Sequence, residues 1–110
     1  MANRYRGETS ACFDGKSYTL CLTLGALAEL EEAFKVSDMT ALVERFSRGT
    51  LSARDAVTVI GAGLRGAGHA VTDDEVARMT AEGGAAGFAR VVTDLLTATF
   101  GAEEAQTDPS

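Results

Sequence analysis

The stretch AVTVIGAGLRGAG, Ala56–Gly68, decides the fold because it has two readings. As a strand it runs into Gly61-Ala62-Gly63-Leu64-Arg65-Gly66, a literal G-x-G-x-x-G. In a dinucleotide site those glycines turn a strand tightly into a helix and let a pyrophosphate approach the backbone. As a helix it is a small-residue segment that packs closely on its neighbours and stops at glycine. The flanks favour the helix. Ser52-Ala53-Arg54-Asp55 is a capping box that opens a helix at Ala53, ahead of any strand. Val57, Ile60 and Leu64 then recur at helical spacing, although the β-branched run Val57–Ile60 also suits a strand. Downstream, Ala67–Val71 reads as a turn and Thr72 opens another helix, so no acidic residue stands at a second strand end to hold a ribose. The expectation is a helix from about Ala53 to Leu64, with Gly61 or Gly63 touching another helix and no cofactor.

Upstream, Asp14-Gly15 separates two alternating runs, and a D-G link of this kind is a strong hairpin signal. A hairpin is expected at about 4–22. Its register sets Phe13 opposite Lys16, Ala11 opposite Tyr18, Thr9 opposite Leu20 and Gly7 opposite Leu22, with these residues on the apolar face. Cys12 then faces Ser17 and Cys21 faces Glu8. The thiols stand roughly 13 Å apart along the ladder at about 3.3 Å per residue, too far for a disulfide.

Thr23 caps a helix with the apolar stripe Leu24, Leu27, Leu30 and Phe34. Its Glu29, Glu31 and Glu32 face water, and Glu31 is spaced to pair with Lys35. Ser37-Asp38 starts a second helix carrying Met39, Leu42, Val43 and Phe46, ended by Gly49. After the Ala53 helix, Thr72 and Glu75 form a capping box with Val71 and Val76 as its staple, opening a fourth helix to about Ala81. Gly83-Gly84 breaks the chain. A fifth helix carries Phe88, Val91, Val92, Leu95, Leu96 and Phe100, with Gly101 as its cap. The class is α+β: an N-terminal β-hairpin and a bundle of about five mostly short helices. One domain is expected over 1–101, followed by a disordered acidic tail, 102–110.

Ten Lys and Arg against sixteen Asp and Glu give a net charge of −6, and the cations are scattered, so a nucleic-acid backbone is not the expected partner. No signal segment or run of 18 apolar residues points to secretion or a membrane. Two cysteines without a C-x-x-C fit reduced thiols and a cytoplasmic protein. His69, the single histidine, fits no zinc spacing and suits a helix C-terminus. Asp73-Asp74-Glu75 fits the macrodipole of a first helical turn better than a cation site. No enzyme, metal site or catalytic residue is expected.

LCLTLGALAELEEAF (Leu20–Phe34), LSARDAVTVIGAGLRGAG (Leu51–Gly68) and VTDDEVARM (Val71–Met79), in this order, resemble a small family encoded in gene transfer agents and related tailed phages. The resemblance covers roughly 1–80, with the last helix alike in character only. Lys35-Val36 stands where it implies a glycine. Members look like tail assembly chaperones, and the family is also labelled a tail tube protein. The resemblance implies a non-enzymatic assembly factor that binds the tape measure protein and the tube protein. The alternative is a structural tube component.

A two-stranded hairpin leaves two edges with unpaired backbone groups, and no other stretch reads as a strand to cover them. An edge is therefore expected to pair with a second copy or a partner strand. Arg4 and Arg6 discourage uncontrolled stacking, and Thr9 and Thr19 are the positions to probe.

Overall fold

In the computed structural model, which describes residues 7–48 and 51–101, Asp14 and Gly15 both take positive φ, 54° and 79°. These are the conformations a two-residue type I′ turn requires. The turn joins β1 (Glu8–Phe13) to β2 (Lys16–Cys21) as an antiparallel pair, the one sheet among the described residues. The register is the expected one: Phe13 faces Lys16, Ala11 faces Tyr18, Thr9 faces Leu20, and the cysteines face Ser17 and Glu8. Neither cysteine is in a disulfide. Among the described residues the ladder begins at Glu8, after Gly7 at φ 77°. Arg4 and Arg6 lie outside the described residues, as do Gly49 and the acidic tail.

Five α-helices follow among the described residues: α1 (Leu24–Phe34), α2 (Met39–Ser47), α3 (Ala53–Gly66), α4 (Asp73–Ala77) and α5 (Gly84–Leu96). The Thr23, Asp38, Ser52 and Thr72 side chains each accept a hydrogen bond from a first-turn backbone N–H. Such caps are worth about 1 kcal/mol each. Both capping boxes are closed, Ser52 with Asp55 and Thr72 with Glu75. α1 ends with Lys35 in the left-handed region, φ 58°, where Val36 N–H reaches the Glu31 carbonyl and Lys35 N–H the Glu32 carbonyl. That Schellman geometry normally takes glycine, the residue the resemblance implied there. Lys35 forms no ion pair with Glu31 among the described residues.

α3 is the centre. Val59, Ile60, Gly61, Ala62, Gly63 and Leu64 are all buried, because β2, α1, α4 and α5 pack around it. The expected stripe of Val57, Ile60 and Leu64 is thus only part of a segment enclosed on every side. From sequence, Tyr18, Leu20 and Leu22 are expected to pack on the Leu24, Leu27 and Leu30 helix to support a hairpin that is marginal alone; β2 instead lies mainly on α3. Leu20 and Leu22 still join Leu27 and Leu30 in the same core. Leu24, in the first turn of α1, stays 77 % exposed.

Two ends differ from expectation. α4 stops at Ala77 instead of Ala81, and the chain extends to place Ala81 in a β-bridge with Phe13. Beyond α5, Thr97–Gly101 widens into a π-helical turn that contains Gly101 instead of being capped by it.

Candidate interaction surfaces

The glycine motif lies within the second half of α3, far from that helix's N-terminus at Ser52, so its amides are not gathered around an anion. Each glycine instead admits a neighbour. A Cβ on Gly63 would stand 2.6 Å from Leu95 Cδ2 and 3.3 Å from Leu20 Cβ. One on Gly61 would meet the Asp73 carboxylate, and one on Gly66 the backbone carbonyl of Cys21. The expected contact of Gly63 with another helix is present, through Leu95 of α5. Gly66, unassigned from sequence, makes the closest approach, to β2.

Arg65, inside the same motif, ties three segments together. Its guanidinium donates to Glu29 of α1 at 2.8 Å, to Asp73 of α4 at 3.0 Å and to the Val71 carbonyl at 3.0 Å. Hydrogen bonding to Glu29, opposed by burial and reinforced by Asp73, raises its pKa further. Glu29 is thus engaged rather than simply hydrated, and Asp73 is held in an ion pair. Among the described residues no cluster of His, Cys, Asp and Glu is arranged to hold a metal ion.

On the opposite flank, Arg45 of α2 reaches Asp55 at 3.0 Å and lies over the Phe34 ring. Phe34 packs edge-on against Phe46. Burial alone would push the Asp55 carboxyl up, but the Ser52 N–H and the Arg45 guanidinium together hold it below its ordinary value. His69 meets Tyr18 of β2 edge-on, with ring centroids 5.1 Å apart.

The hairpin edges are unequal. At β1, Asp14 N–H donates to the Thr80 carbonyl, and the Asp14 carboxylate accepts from both the Thr80 N–H and its hydroxyl, at 2.9 and 3.0 Å. The segment after α4 therefore covers one end of this edge, which corrects the expectation that nothing in the chain does so. Along β2 the turn bond pairs Phe13 with Lys16, and hydrogen-bonded pairs alternate from there. Thr9 and Leu20 therefore bond to each other, while Ser17 and Thr19 turn their N–H and C=O groups outward. Of the two threonines singled out from sequence, Thr19 belongs to an outer edge and Thr9 does not. A second surface was not legible: an apolar groove of about 340 Å³ between α3, α4 and α5, lined by Leu51, Val57, Ile60, Val76, Met79 and Phe88 among others.

The model of a family described as phage tail tube protein, GTA-gp10, matches residues 6–102. The chain belongs to that family. The match extends through α5, beyond the 1–80 expected from the motifs. No curated protein and no solved structure matches the chain. The family's description names a tail tube protein, which supports a tail component more than the expected assembly chaperone. Its description mentions neither chaperone activity nor tape measure binding.

Proposed function

We propose that this tail tube family protein is a non-catalytic, protein-binding component of a phage-like or gene-transfer-agent tail, acting at the tail tube. The family match over residues 6–102 carries this reading. Rigid surfaces suit it: a hairpin with an open strand edge, and an apolar groove able to take the apolar stripe of a partner helix.

A second reading keeps the chain as an assembly factor that binds the tape measure or tube protein and then leaves. The small sheet favours it, since among the described residues the strands are Glu8–Phe13 and Lys16–Cys21, while a tube wall made by strand pairing needs more extended sheet. Quantifying the protein in purified mature particles separates the two. Stoichiometric copies support the structural component. Absence from particles, with co-purification of tape measure and tube proteins from assembling cells, supports the released factor.

A further inference from the structure

We infer that two copies of this chain pair through β2, antiparallel and related by a two-fold axis, with Leu24 supplying an apolar contact beside the joined strands. The inference does not rest on the tail assignment. It rests on the inequality of the two edges. β1 is blocked at Phe13 and Asp14 by Thr80 and Ala81, and α5 and the π-helical turn also pack on that strand. β2 has no such cover over Ser17 and Thr19, whose outward backbone groups receive no hydrogen bond from any other described element. Its far end is closed, because the carbonyl of Cys21 abuts Gly66.

With β1 covered at its turn end, β2 is the edge that offers a run of outward groups to an added strand. Head-to-tail propagation needs two complementary edges, whereas self-pairing on one edge closes with two-fold symmetry. The turn at Asp14-Gly15 and the block at Cys21 centre the open window on Tyr18. An axis there sets Ser17 of each copy opposite Thr19 of the other, exchanging backbone hydrogen bonds and pairing two hydroxyl side chains. Lys16 then faces Leu20 of the second copy, so no like charges oppose. Charge also selects this edge: the chain carries −6, yet Gly15–Ala28 contains no Asp or Glu. Backbone bonds alone seldom outweigh the cost of association. Leu24, exposed over 77 % of its surface and three residues past the end of β2, adds apolar area to the contact.

The test is sedimentation velocity of the full chain from micromolar to millimolar concentration, with hydrogen exchange read at Ser17 and Thr19. A concentration-dependent dimer is expected, with slower exchange at both amides as it forms. Thr19→Pro removes an outward N–H, and Leu24→Ser removes the apolar contact. Each is expected to weaken dimerisation by about tenfold or more, equivalent to about 1.4 kcal/mol. Met39→Ser, which alters an exposed apolar residue on α2, leaves it unchanged. Should Thr19→Pro not fold, Leu24→Ser and the exchange data decide. A chain that stays monomeric throughout, a dimer indifferent to Leu24→Ser, or protection of Ser17 and Thr19 that appears only when tube protein is added would overturn self-pairing.

Discussion

The α-carbon of Gly66 rests against the carbonyl oxygen of Cys21, helix backbone on strand backbone, with no room for a methyl group between them. Neither side of this contact has a flexible end that could yield. Gly66→Ala is expected to destabilise by about 2–3 kcal/mol or more, since overpacking here must move α3 from β2. At Gly61 the obstruction is the Asp73 side chain, which can turn away. The roughly 1 kcal/mol helix advantage of alanine then offsets most of the cost. Urea unfolding should rank Gly66→Ala as the most damaging, Gly63→Ala between, and Gly61→Ala nearest to wild type.

Arg65 should matter to the joint between α1, α3 and α4 more than its surface position suggests. Its side chain is 30 % exposed and both acid partners 48 %, so each ion pair contributes little alone. Together with the bond to the Val71 carbonyl they give an expected loss of about 1–2 kcal/mol for Arg65→Ala. Arg65→Lys restores only part of it, because an ammonium cannot reproduce the planar fork. Thermal unfolding at low and high salt checks both, the wild-type advantage shrinking as salt rises.

Lys35 occupies a left-handed position that costs a side chain about 1–2 kcal/mol. Replacing it with glycine removes that cost but adds freedom to the unfolded chain. The net expectation for Lys35→Gly is a gain of about 0.5–1 kcal/mol. An unchanged or lowered urea midpoint would show that the Lys35 side chain has a stabilising contact outweighing its backbone strain.

Asp55 ties stability to acid pH. Its folded pKa lies below the ordinary value for an aspartate, so the folded state prefers the carboxylate. The contribution is fully present above about pH 4 and is lost as pH falls through the folded pKa. The stability difference between wild type and Asp55→Asn should be constant from about pH 5 to 8 and narrow below about pH 4. A difference that widens on acidification would reverse the assigned sign.

Local features were legible in the sequence because their hydrogen bonds close within a few residues. The caps at Thr23, Asp38, Ser52 and Thr72 and the Asp14-Gly15 turn each carry their own signal, and the turn fixes the register of both strands. What sequence missed joins distant segments. Arg65 meets Glu29 across 36 positions and Thr80 meets Asp14 across 66. A glutamate on a helix reads as hydrated until the fold supplies its arginine. The groove was hidden because several of its walls are small residues, Ala53, Ala56, Ala85 and Ala89, which periodicity assigns to no face. The early end of α4 follows from a tertiary contact, Ala81 bridging Phe13, that overrides local helix preference.

The bond between Asp14 and Thr80 also sets an order of events during synthesis. A hairpin closes in microseconds, yet the residue that covers its β1 edge is made 66 positions later. At about 5–20 residues per second, that interval is roughly 3–13 seconds. Throughout it the nascent chain presents both strand edges, and neighbouring ribosomes on one message hold identical edges close together. The interval ends when Thr80 emerges and docks. A slower passage through the codons between α1 and α4 would lengthen this exposure without altering the finished protein, and cross-paired nascent chains would be its product.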